Sequence, residues 1–196
     1  LPDTALEIFD GQIAGSLKSK SHDTCEKLSS AAKKLASDAV NIEADFKETH
    51  HRSVLATTDG FFGTRESTMM NLESGVVVKD RDSRKQSGWD WRSWRNWADV
   101  SPLHEIGESA AKRALEMKGA GPVKTGEYPV VILNYWGDKF TGMLIRALSG
   151  SLIYRKMSCL KDKKGEKIAS ALLTFHDDPL LPRGLSSKHY DGEGMV

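Results

Sequence analysis

The chain has 196 residues and 21.6 kDa, with 39% hydrophobic and 28% charged residues and a net charge of +1. That composition supports a buried core and excludes a collagen-like chain, a coiled-coil rod and a wholly disordered tail. A pI near 7.9 argues against a dedicated nucleic-acid binder, whose charge is usually strongly basic.

Two cysteines, Cys25 and Cys159, are too few for a disulfide scaffold and are expected as small buried side chains. The longest apolar run is Val130 to Leu133, and a membrane-spanning helix needs about 20 apolar residues. Leu1-Pro2-Asp3 is neither basic nor followed by an apolar stretch, so no signal peptide is expected. The chain does not begin with Met, and its ends are not expected to be the gene's own.

Ser21 to Ala39 predicts an amphipathic helix, with Cys25, Leu28, Ala32, Leu35 and Ala39 as its buried stripe. Asp23 and Glu26 have capping-box spacing. From Val40 the period falls to two: Ile42, Ala44 and Phe46 alternate with Glu43, Asp45 and Lys47, as in a half-buried strand. Val54 to Thr58 predicts a second strand, and Asp59-Gly60 a turn. Thr68 to Lys79 predicts a third strand and Gln86 to Trp91 a fourth, most simply an antiparallel meander. Ser101-Pro102 predicts a helix start, with Leu103, Ile106, Ala110, Ala114 and Met117 buried and Gly119 as its stop.

Gly119-Ala120-Gly121-Pro122 reads as a hinge, so two domains are expected, 1–121 and 122–196. In the second, Tyr128 to Leu133 and Ile168 to Phe175 predict strands, and Gly137 to Leu148 a helix. The expected class is α+β: an antiparallel meander with packed helices, followed by the first part of a second α+β domain.

No segment carries a complete catalytic set. His104-Glu105 opens like a zinc-protease helix, but no second His follows at positions 108 or 109. His50 and His51 are adjacent on a strand and point to opposite faces, so they cannot share a metal. His176 precedes Asp177-Asp178 without a partner cluster, while His22 and His189 lie near ends or loops. Ser149-Gly150-Ser151 lacks the nucleophile-elbow pattern. Trp89, Trp91, Trp94 and Trp97 interleave with Arg92 and Arg95, a composition that either fills a core or contacts a ligand or partner. Alternation puts Trp89 and Trp91 on one face, expected as core. Trp94 and Trp97 are then expected to cover another domain or subunit.

Several segments share one frame. They include Thr58-Asp59-Gly60-Phe61, Gln86-Ser87-Gly88-Trp89-Asp90-Trp91, and Thr125-Gly126-Glu127-Tyr128-Pro129-Val130-Val131. Ala147-Leu148-Ser149-Gly150 and Asp177-Asp178-Pro179-Leu180-Leu181-Pro182 follow, in order, over nearly the whole chain. This resembles the TldD/PmbA family, also called modulators of DNA gyrase. Members are more than twice as long, so the resemblance implies a central domain followed by the start of a C-terminal one. It also implies cytoplasmic proteolysis of peptides, in peptide maturation and protein turnover.

One branch of that family carries a His-Glu-x-x-x-His zinc motif on the helix after the Pro-Val-Val strand. In this frame Ile145 and Gly150 stand at the two His positions and Arg146 at the Glu. Neither isoleucine nor glycine has a side-chain lone pair for zinc, and Arg adds a positive charge beside a dication. The chain therefore resembles the other branch, PmbA or TldE. The implied role is a non-metal subunit, with zinc only in a TldD-like partner. No catalytic, cofactor-binding or metal residue is expected in this chain. The expected partners are a TldD-like subunit or a second copy, and an unfolded or peptide substrate, with no membrane or direct nucleic-acid binding. The alternatives are an active metallopeptidase homodimer with ligands outside this segment, and a gyrase-associated or nucleic-acid-binding protein.

Overall fold

The computed structural model describes residues 5–15 and 18–195; the Leu1-Pro2-Asp3 stretch lies outside them. The chain forms two compact units. One runs to Gly121 and resumes at Asp177, and the other is Pro122–His176. Residues 177–195, placed by the sequence in the second domain, pack with the first unit.

The first unit is built on a three-stranded antiparallel sheet of β1 (Asn41–Ala56), β2 (Phe62–Lys79) and β3 (Lys85–Trp94), in that order. The two strands expected before Asp59-Gly60 are one continuous strand. The polar stretch 49–52 suggests a break, yet all four residues are exposed in a hairpin arm and pair in register with β2. A solvated ribbon needs no apolar face there. The turn comes at Gly60, whose φ of 89° suits glycine.

Short α1 (Gly11–Ala14), long α2 (Lys18–Leu35) and α3 (His104–Glu116) cover one face of the sheet. Val76, Val78, Ala32, Ala36, Ala110, Ala111 and Ala114 form one buried cluster. Ile13, Leu28, Met70, Leu72 and Ile106 form a second. The α2 stripe lies about one position off the expected one. Thr24, Leu28, Ala31, Ala32 and Ala36 are buried, whereas Cys25 is half-buried and Leu35 exposed. Asp23 and Glu26 lie inside α2, so they do not cap its start. Likewise Leu103, not Ser101, precedes the first turn of α3, and Met117 is exposed.

Two glycines set how closely these layers approach. A Cβ on Gly107 of α3 would fall inside contact distance of the Leu28 carbonyl oxygen and 3.1 Å from the Ala32 nitrogen of α2. A Cβ on Gly88 of β3 would overlap the Ala110 carbonyl and Ala114 amide of α3. Backbone cannot move aside as a flexible side chain can, so an added methyl at either position forces the layers apart. We predict that Gly107→Ala and Gly88→Ala each lower stability by about 1–3 kcal/mol or more. Urea unfolding should show an earlier midpoint, while Gly121→Ala, with open space around it, should not.

Asp80 fixes the point where the chain leaves this unit. Its side chain is 2% exposed. The Gln86 side-chain amide donates to it at 2.9 Å, the Arg81 N–H at 2.7 Å, and the Gly119 N–H at 2.9 and 3.0 Å. Gly119 sits at φ 80°, the left-handed stop expected after α3. The Gln86 bond foremost, then those from Arg81 and Gly119 with the nearby Arg84 charge, hold the Asp80 carboxyl down to about 2 against the opposing effect of burial. A carboxyl whose folded pKa is below its unfolded one stabilises the fold above the unfolded value, near 3.8. That contribution is lost as pH falls from there through about 2. Denaturant melts of wild type and Asp80→Asn between pH 5 and pH 2 should therefore converge toward the acid end.

The second unit holds α4 (Gly137–Ala147), α5 (Gly150–Tyr154) and irregular chain. Neither expected strand, Tyr128 to Leu133 or Ile168 to Phe175, forms among its described residues. A strand requires a neighbour for its backbone groups, and here neither segment has one. Both are largely exposed, with Val131 at 89% and Leu172 at 94%. The α+β class thus rests on the first unit's sheet and helices.

Candidate functional site

The Ile145, Arg146 and Gly150 positions fall at the end of α4 and the start of α5. Ile145 is 64% exposed, and Arg146 and Gly150 also face solvent. Asp138 is the carboxylate in the first turn of α4, and it pairs with Lys139 at 3.1 Å. Nothing in this donor set suits zinc: an alkyl side chain, a guanidinium and a glycine supply no imidazole, thiolate or carboxylate. Among the described residues no group of three or more His, Cys, Asp or Glu side chains could hold a metal ion. The zinc chemistry associated with the resemblance therefore does not fit this helix, and no step is assigned to it.

The histidines are dispersed. His104 is exposed at the start of α3, beside Lys27, Lys34 and Glu108 in an open surface cleft. His50 bonds to Glu66 across the hairpin at 2.7 Å and lies 5.5 Å from the Phe9 ring, whereas His51 takes the other face. His22 and His176 are exposed and His189 is half-buried. Both cysteines are free. Cys25 is half-buried, and burial raises its thiol pKa, with Asp45 adding to the shift; Cys159 is exposed, contrary to the expected buried thiol.

The tryptophan expectation is reversed. Gly88, Asp90, Arg92 and Trp94 have the parity that faces the helices, so Trp94, with Trp97 just beyond, packs against the Met70–Leu72–Ile106 cluster. Trp97 is held by its backbone N–H, which donates to Asp10 Oδ2 at 2.8 Å, and by the Phe46 ring at 6.4 Å. Trp89 and Trp91 take the opposite, exposed face. Alternation separates the faces but does not say which one the helices cover; Gly88 decided it by admitting α3. Asp90 is buried under α3 and accepts from Arg113 at 3.1 Å, with Arg92 at 3.6 Å. Arg92 also reaches Glu105 at 3.0 Å and Ser101 at 2.8 Å. Arg95 donates to the carbonyls of Thr68 and Leu185. The arginines between the tryptophans are thus engaged within the unit.

The returning tail is tied down by Arg183. Its backbone N–H donates to Leu6 O, and its guanidinium pairs with Glu7 and Asp99, each at 2.7 Å. Tyr190 stacks edge-on against Phe61 at 5.0 Å, with Arg65 over its ring. No sequence signal joined these positions.

Comparison with known proteins adds the missing context. Residues 16–118 match the profile of the PmbA/TldA metallopeptidase central domain, and residues 125–196 that of the PmbA/TldA metallopeptidase C-terminal domain. The chain belongs to the PmbA/TldD family. It is 33% identical over 155 residues to a metalloprotease PmbA homolog of Haemophilus influenzae, covering 78% of this chain and 34% of that protein. It is 28% identical over 158 residues to a metalloprotease PmbA homolog of Buchnera aphidicola, covering 80% and 35%. The chain thus spans about a third of the length of these relatives. A solved structure from Bacteroides thetaiotaomicron, of a protein proposed as a modulator of DNA gyrase, matches all of this chain and 45% of its own. The TM-score is 0.91 at 23% identity, which shows the shared fold.

Membership of this metallopeptidase family sharpens the meaning of Ile145, Arg146 and Gly150. We predict that the chain retains no stoichiometric zinc after equilibrium dialysis with excess zinc and washing. Stoichiometric zinc held by the washed chain would contradict the prediction.

Proposed function

We propose that this chain is the core of a non-metal, PmbA/TldE-like subunit in a cytoplasmic metalloprotease system acting on peptides, in their maturation and degradation. Zinc and the hydrolytic step belong to a TldD-like partner subunit. The observation that carries this reading is the donor-free α4–α5 junction, in a chain otherwise matched to both family domains. Relatives named metalloprotease PmbA support the branch, at up to 33% identity for the Haemophilus protein. A Buchnera protein named metalloprotease TldD homolog is matched at 24%.

Phe140, Met143, Ile145 and Leu148 of the α4 region, with Leu172 and Leu173, are exposed apolar side chains that the remaining length of a family member or a partner subunit would cover. In this reading the subunit shapes and covers a peptide channel and supplies no reacting group.

The test mixes the full-length protein with a TldD-like subunit. The expected result is a co-eluting complex that holds zinc only through the TldD-like subunit and hydrolyses an unfolded peptide. The protein alone should hold no zinc and cleave nothing. Zinc-dependent cleavage by the protein alone would overturn the proposal in favour of an active homodimer.

A further inference from the structure

The sheet face turned away from α2 and α3 is not covered by any helix or strand of the first unit at its β3 end, among the described residues. The strand register builds two adjacent rows across it. One row is Asp45, Glu73 and Trp91, and the next is Glu43, Gly75 and Trp89. A Cβ on Gly75 would lie 2.7 Å from Trp89 Cε3, so the absence of a side chain there lets the Trp89 ring lie across β2 toward β1. Even so, Trp89 is 38% and Trp91 46% exposed.

Three carboxylates surround this aromatic floor. Asp45 and Glu73 oppose each other directly across the strands, a like-charge pair that weakens a sheet unless something offsets it. Among the described residues no cation forms an ion pair with Glu43, Asp45 or Glu73. Glu43 accepts one bond, from the Asn41 amide at 2.7 Å. The lysines of this face stand outside the two rows: Lys47 one row beyond, Lys79 and Lys85 paired at the far end.

A cation over an indole face is attracted by the ring quadrupole, and neighbouring carboxylates add to the attraction. The two rows are two residues apart along each strand, about 7 Å, which is also the spacing of alternate side chains in an extended peptide.

We propose that this face binds a basic segment of an extended polypeptide, seating alternate arginine or lysine side chains on Trp89 and Trp91 between Glu43, Asp45 and Glu73. The surface needs neither a metal nor a second subunit, so it stands apart from the subunit reading.

Calorimetry on the full chain tests it with two peptides, acetyl-Gly-Arg-Gly-Arg-Gly-amide and the same peptide with Gln for each Arg. The Arg peptide should bind saturably, weaken with salt and perturb tryptophan emission, and the Gln peptide should not bind. The double variant Asp45→Asn with Glu73→Gln should weaken binding about tenfold, the order expected when a bound cation loses two exposed carboxylates. Trp91→Ala should do the same, and the double variant should not move the urea midpoint downward. Equal binding of the two peptides, no binding of either, or full affinity in the double variant would overturn the proposal. So would a concentration-dependent dimer that the double variant abolishes, because the face would then be an interface between copies.

Discussion

The first unit depends on backbone meeting backbone. α3 lies so close to α2 at Gly107, and to β3 at Gly88, that no side chain fits between them. The alanines Ala32, Ala36, Ala110, Ala111 and Ala114 extend the same close approach into a buried cluster under Val76 and Val78. Small residues here do not weaken the core, because closeness substitutes for side-chain volume and keeps dispersion contacts dense. The consequence reaches the surface. With α3 pressed onto Gly88, the even-numbered residues of β3 face inward, Asp90 is buried with Arg113, and Trp89 and Trp91 turn outward.

This explains which parts of the fold were legible in the sequence. Alternation of Ile42, Ala44 and Phe46 against Glu43 and Asp45 marked the correct inner face of β1, and Gly60 and Gly119 marked real reversals. Those signals are local: a period, or a φ angle that only glycine adopts easily. Size misled where Trp89 and Trp91 were taken as core, because the inward choice depended on a helix far along the chain. The polar stretch 49–52 looked like a break because solvent-exposed pairing leaves no apolar period to read. Tyr128 to Leu133 has the composition of a strand, but composition cannot provide the neighbour that a strand pairs with. Asp80 carried no signal at all, since its partners Gln86 and Gly119 converge on it only in three dimensions.

The candidate site was legible in a different sense. Ile145, Arg146 and Gly150 could be placed only through the family frame, and the structure puts them at the end of α4 and the start of α5, facing solvent. The same register that exposes Trp89 and Trp91 brings Glu73 of β2 between Trp91 and Asp45, a grouping that β1 and β3 read separately cannot show.

The most direct measurement is peptide hydrolysis by a complex of the full-length protein and a TldD-like subunit, with Ile145→Ala and Arg146→Ala introduced together into this chain. Unchanged turnover per bound zinc is the predicted result, because neither an alkyl side chain nor a guanidinium is a donor suited to zinc. Loss of turnover in the double variant would contradict the account, and stoichiometric zinc held by this chain without the TldD-like subunit would place a metal on it.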